Sequence, residues 1–340
     1  MSPWPRFGKT VNSLIAVTSI LFCLALLEGA VRYAPFLGGF KPEPRTFVGD
    51  FENRESRNFI ADQNTGWRMR PNIEFVWKIA GERDIYRSND QGFRSEMNVS
   101  RFENRKVIAL IGDSFAFGTG VEFEETFGEL LGDSLGDDVT VYNLAMPGFG
   151  LDQMWMSVRH QALPLEPALI IFAFIDADLD RSQSAYRMAE GFNKPTFELE
   201  NGNLRPQTRR DKPSVMIRLL EAHSGLWTIL RKTIKHIGYR YSFGDWWLRN
   251  RAIIKAMNSD AKSADTPLLL VRLPLRQRRT FPSLHRLAKT EDLNLLDLGG
   301  PETGSFDNLH FVDDAHINEA GHAFVADRLT QWIKENRLLD

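Results

Sequence analysis

From about residue 105 onward, short runs of nearly uninterrupted apolar residues alternate with segments of helical spacing, and this rhythm constrains the fold more than any other feature. The runs are Val107–Ile111, Val139–Asn143, Ala168–Phe174, Pro267–Leu273 and Leu293–Leu298. A strand that is apolar on both faces needs cover on both, which is the mark of a parallel sheet held between helix layers. Helical spacing fills the intervals over Glu124–Leu135, Leu151–Ala162 and Phe281–Thr290, and Ile317–Leu338 reads as a long closing helix. The expectation is an α/β sandwich over 105–340. Residues 181–265 break the rhythm with basic, aromatic and proline-containing material. They read as an insertion over the carboxyl ends of the strands, where open α/β sheets place their ligand crevice.

The N-terminus adds a second constraint. Arg6 and Lys9 precede an uncharged apolar stretch, Val11 to Leu27, that Gly29, Ala30 and Val31 extend if Glu28 sits at the far interface. About 20 apolar residues suffice to cross a bilayer. The alternative is a cleaved signal peptide, but a cut after Ala30 puts Glu28 where a small residue belongs. The reading is a retained single-pass anchor at 11–33, with residues 1–10 cytoplasmic and the folded part extracytoplasmic, since basic residues stay inside. Residues 34–104 read as a linker, rich in Pro and Gly over Pro35–Arg45, followed by a small β-rich lead-in. That lead-in contains Thr65-Gly-Trp-Arg-Met-Arg-Pro-Asn72 and Tyr86-Arg-Ser-Asn-Asp-Gln-Gly-Phe-Arg94.

Composition mainly excludes. With 43% hydrophobic residues in 340, the chain can bury a large core, and a net charge of -2 offers no basic field for nucleic acid. The one cysteine, Cys23, rules out an intramolecular disulfide. Asp176-x-Asp178-x-Asp180 is followed by Arg181 where a calcium loop needs glycine, and no histidine pair has metal spacing, so neither metal nor cofactor is expected.

Two motifs carry chemistry. The first core strand ends in Gly112-Asp113-Ser114, which sets a serine just beyond a strand end before a glycine-containing loop. A serine hydroxyl needs an imidazole to take its proton and an acid to orient that imidazole. Asp313 and His316, immediately before the closing helix, supply one of each. Read singly, either motif also suits helix capping; together and in this order they are more specific.

These residues carry a resemblance. Gly112-Asp113-Ser114, Asn143-x-x-x-x-Gly148 and Asp313-x-x-His316 followed by Asn318 and Gly321 resemble the ordered blocks of the SGNH/GDSL hydrolase family, from about residue 105 to the C-terminus. The resemblance implies a flavodoxin-like three-layer sandwich and a catalytic triad of Ser114, His316 and Asp313. It also implies oxyanion donors at the backbone N–H groups of Ser114 and Gly148. A third donor in the family is an asparagine side chain, and the closest positional match here is Asp176. An ionised carboxylate accepts hydrogen bonds but donates none.

Three functions therefore stay open. One is a serine esterase acting on an O-acyl ester of an extracytoplasmic glycan or lipid-linked sugar; the second is an O-acyltransferase using the same residues. The third is a catalytically weakened relative that binds or assembles at the membrane.

Overall fold

The computed structural model describes residues 9–33, 58–79, 82–95, 105–183, 186–187, 192–207, 216, 220, 223–277, 280–301, 306 and 308–339. The expected cytoplasmic segment before Lys9 and the Pro35–Arg45 linker lie outside these residues. The chain divides into two compact units, Met1–Gly49 with Lys212–Phe243, and Asp50–Asp211 with Gly244–Asp340.

In the first unit, Lys9–Tyr33 forms one helix. Its segment Ser13–Val31, with mean hydropathy 2.3, is long and apolar enough to cross a membrane, a test that a signal sequence also passes. Glu28, expected at the far interface, has a second task here. Its carboxylate accepts from Gly225 N at 2.7 Å, Leu226 N at 3.0 Å and Ser224 Oγ at 2.9 Å. These are the orphan donors at the start of the helix Gly225–Ser263, where an acidic group is favoured.

The second unit begins with two antiparallel hairpins, β1 (Phe59–Asp62) with β2 (Gly66–Met69) and β3 (Glu74–Ile79) with β4 (Glu82–Arg87). The main sheet follows: β5 (Lys106–Gly112), β6 (Val139–Asn143) and β7 (Leu169–Phe174). Two short hairpins come next, β8 (Tyr186–Arg187) with β9 (Phe192–Asn193) and β10 (Phe197–Glu200) with β11 (Asn203–Pro206). The last strands are β12 (Leu268–Arg272) and β13 (Asn294–Asp297).

The sheet is parallel with order β13-β12-β7-β5-β6. All five sequence-expected strands are in it, and β7 is buried along its whole length, as a strand covered on both faces requires. The chain steps outward from β5 to β6, then crosses back to β7 and on to β12 and β13. Strand order therefore reverses at β5, and the crevice of a doubly wound sheet opens at the carboxyl ends of β5 and β7.

One boundary differs from expectation. The interval 181–265 does not remain outside the sandwich, because Trp246, Ile253, Ile254, Met257 and Ala261 of the helix Gly225–Ser263 are core residues. Their spacing marks one helical face, so this half of the helix is the cover that links β7 to β12. Arg249 and Arg251 interleave with that face in the sequence and disguise it.

Candidate active site

Ser114 opens the four-residue helix Ser114–Phe117, directly after β5. The turn between them is tight. A Cβ on Gly112 would lie 2.4 Å from Ala116 Cβ and 2.6 Å from the Ala173 carbonyl oxygen on neighbouring β7, so only glycine fits there. Asp113 caps the helix by accepting from Phe115 N at 2.9 Å. Gly118 closes it in the left-handed conformation, with φ +82°. Asp113, not Ser114, does the capping, and the Ser114 hydroxyl makes only a long contact of 3.5 Å with Asp113 Oδ2 on that side.

His316 Nε2 lies 2.8 Å from Ser114 Oγ, although the two residues are 202 positions apart. On its other side, His316 Nδ1 lies 2.5 Å from Asp314 Oδ1. The carboxylate beside the imidazole is thus that of Asp314 and not that of Asp313, which is exposed. The reason is local. Asp314 Oδ1 also accepts the backbone N–H of His316 at 2.8 Å, an i to i+2 turn that folds the carboxylate back onto the imidazole's own residue. Arg276 Nη2 holds this loop from outside through the carbonyls of Val312, at 2.9 Å, and Asp314, at 3.3 Å. The hydrogen bond from His316 keeps the Asp314 carboxyl below its ordinary range, against the opposing effect of burial.

Around the serine stands a second layer of charge. Arg181 bonds Asp113 Oδ2 at 2.9 Å, the Phe149 carbonyl at 3.1 Å and the Asp178 carboxylate. Burial, then the charge of Asp113, pushes the Asp178 carboxyl upward, and Arg181 opposes that rise. Asn143, expected as part of the second block, ties two loops together. Its Nδ2 donates to the Ala116 carbonyl at 2.9 Å and its Oδ1 accepts from Ala145 N at 3.0 Å. Gly148, buried, has φ +82° and belongs to the loop that follows β6, whose Met146 N donates to Gly112 O at 3.2 Å.

Asp176 departs from its expected role. Its carboxylate receives a two-pronged bond from Arg272 at the end of β12, Nε to Oδ1 at 2.7 Å and Nη2 to Oδ2 at 2.9 Å. Arg272 in turn binds Asp297, whose Oδ2 lies 2.8 Å from His285 Nε2. Burial alone lowers the Arg272 pKa, but the bonds to Asp176 and Asp297 more than compensate and raise it. Asp176 therefore belongs to an ion-pair network at the carboxyl ends of β7, β12 and β13, with both of its carboxylate oxygens engaged by Arg272. Asp176→Asn is expected to lower stability by about 2 kcal/mol, the scale of a hydrogen bond to a charged group, without raising turnover. Urea unfolding beside an ester-hydrolysis assay checks both halves, and a gain in turnover contradicts this account.

Among the described residues, no group of three or more His, Cys, Asp or Glu side chains is arranged to hold a metal ion. The sequence matches no family model and no curated protein. Solved structures to which the chain is similar include TesA, at 12% identity and a TM-score of 0.42 over 68% of this chain and 99% of that one. A putative lipolytic protein of the G-D-S-L family from Desulfitobacterium hafniense DCB-2 is 15% identical, with a TM-score of 0.39 over 67% and 99% of the two chains. The psychrotrophic esterase EstA from Pseudoalteromonas sp. is 13% identical, with a TM-score of 0.39 over 68% and 98%. What the site can do rests on its own geometry.

Proposed function

We propose that this chain is a serine esterase of the SGNH/GDSL type, with Ser114 as nucleophile, His316 as general base and Asp314 as the acid that orients it. The observation that carries this reading is the unbroken relay from Ser114 Oγ to His316 Nε2 at 2.8 Å, and from His316 Nδ1 to Asp314 Oδ1 at 2.5 Å. Both distances are within hydrogen-bond reach for proton transfer.

In the reaction, Ser114 Oγ bonds to the ester carbonyl carbon as its proton passes to His316 Nε2. The carbonyl oxygen becomes an oxyanion, which the backbone N–H groups of Ser114 and Gly148 stabilise. Collapse breaks the bond to the alcohol oxygen, and His316 returns the proton to that leaving group. Water repeats the sequence on the acyl-enzyme and frees the acid. An acceptor hydroxyl in place of water gives acyl transfer with the same residues.

The apolar N-terminal helix with basic residues before it supports an extracytoplasmic site and, with it, an O-acylated glycan or lipid-linked sugar as substrate. Capture of Asp176 by Arg272 favours a second reading, in which a site with only backbone donors turns over slowly and the protein serves to bind. A fluorophosphonate probe separates the two. Covalent attachment to Ser114, located by peptide mass spectrometry and absent in Ser114→Ala, is the expected result. A wild-type protein that takes up no probe overturns the nucleophile assignment and leaves the binding role.

A further inference from the structure

The two aromatic-basic stretches of the lead-in, 65–72 and 86–94, both end on the loops around Ser114. Arg94, fully buried, donates from Nη1 to the Phe117 carbonyl at 3.0 Å and from Nη2 to Val121 O at 2.8 Å, while its guanidinium lies 4.3 Å from the Tyr86 ring centre. The Tyr86 hydroxyl accepts from Gly120 N at 2.9 Å. These contacts hold the turn that follows the nucleophile. Trp67 does the equivalent for the other loop, and its geometry has a sharper consequence.

Trp67 is 1% exposed, set edge-on to Phe149 with ring centres 5.3 Å apart and stacked on Phe192 at 6.0 Å. Its Nε1 donates to the Pro147 carbonyl oxygen at 3.1 Å. That oxygen and the N–H of Gly148 belong to one planar peptide unit, which is trans, so they point in opposite directions. Fixing the oxygen fixes the aim of the N–H. The loop's flanks are held separately, by Met146 N on Gly112 O at 3.2 Å, by the turn bond from Phe149 N to Met146 O at 3.3 Å and by Arg181 on Phe149 O at 3.1 Å. The first and last leave the 147–148 peptide plane free, the central peptide of a turn can flip with its closing bond intact, and Gly148, left-handed with φ +82°, has no side chain to resist it. Trp67 lies on β2, and just ahead of that strand Gln153 Nε2 donates to Thr65 O at 2.6 Å.

We propose that Trp67 is a positioning residue for the reaction: its indole N–H aims the Gly148 amide at the oxyanion formed on Ser114. This rests on the serine esterase reading of Ser114 and Gly148. The role asks for a hydrogen-bond donor on a buried, flat ring, which phenylalanine cannot supply.

The test replaces Trp67 in the full chain by β-(3-benzothienyl)alanine, which keeps the ring shape and exchanges the N–H for sulfur, with Trp67→Phe as a second variant. Turnover of p-nitrophenyl acetate and the rate of fluorophosphonate attachment are measured together with the unfolding midpoint. Loss of a whole oxyanion donor costs about 10²–10³ in turnover, so a misaimed one is expected to cost about tenfold in kcat. The expected result is that loss with KM little changed, a matching fall in labelling rate and an unfolding midpoint close to wild type. Labelling and kcat equal to wild type in the sulfur isostere overturn the inference while the esterase reading stands. Failure of the wild type itself to label overturns both.

Discussion

Asp314→Asn is expected to lower kcat by about 10⁴-fold, the scale seen when a triad acid is replaced by its amide, whereas Asp313→Asn leaves kcat nearly unchanged. The difference follows from what each carboxylate touches. Asp314 Oδ1 accepts both the backbone N–H and Nδ1–H of His316, at 2.8 and 2.5 Å, so it holds the proton on Nδ1 and leaves Nε2 free to take the serine's. An asparagine there presents either a weaker neutral acceptor or an N–H, and the latter selects the wrong tautomer. Asp313 is exposed and its loop is held through the neighbouring carbonyls by Arg276. Because the bond from His316 keeps the Asp314 carboxyl below its ordinary range, this acid stays ionised through mildly acidic pH and does not set the acid limb of the rate profile. Steady-state hydrolysis of p-nitrophenyl acetate by the two variants side by side is the measurement. A large loss in Asp313→Asn with little in Asp314→Asn reverses the assignment.

The pair shows where sequence stops. An apolar run such as Val107–Ile111 and the helical spacing after it follow from burial patterns, so the sheet, its helices and the position of Ser114 beyond a strand end are legible one residue at a time. His316 is legible too, since it is the histidine just ahead of the closing helix. Which of two adjacent aspartates orients it depends on a single turn, decided by whether a side-chain oxygen folds back on the N–H two residues later. Spacing alone points to Asp313, and the turn selects Asp314. The surroundings of Asp176 are hidden for a related reason: its partner Arg272 is 96 residues away, and only strand order β12-β7 brings them together. Trp67 and Arg94 were visible as conspicuous residues in short motifs, but their targets, Pro147 and the Phe117–Val121 turn, appear only once the lead-in is packed on the sandwich.

His322 makes the fold acid-sensitive in a defined window. It sits fully buried in the helix Glu319–Glu335, stacked on Phe127 at 5.6 Å, and its Nδ1 accepts the Phe127 backbone N–H at 3.1 Å. A ring accepting at Nδ1 is neutral, with its proton on Nε2. Protonation sets a second N–H against that of Phe127 and places a charge in the core. Burial, then the positive charges of Arg94 and His316, lower the His322 pKa from 6.5 to about 3. Between those values the unfolded chain binds the proton and the folded one refuses it, so stability falls as pH drops below the unfolded pKa. At 1.36 kcal/mol per unit, the loss reaches about 2 kcal/mol at pH 5 and grows toward pH 3. His310, also lowered chiefly by burial, acts with the same sign, whereas the depressed Asp314 carboxyl costs stability only once pH falls into the carboxylate range. Replacing His322 by Asn, whose side-chain oxygen can still accept from Phe127, cancels its own share and leaves the others. Urea unfolding at pH 7.5 and 5.0 is expected to show wild type losing about 2 kcal/mol more than His322→Asn over that interval. Equal losses in the two proteins mean that His322 titrates in the folded state at its ordinary pKa, and that the closing helix is not sealed against the sandwich.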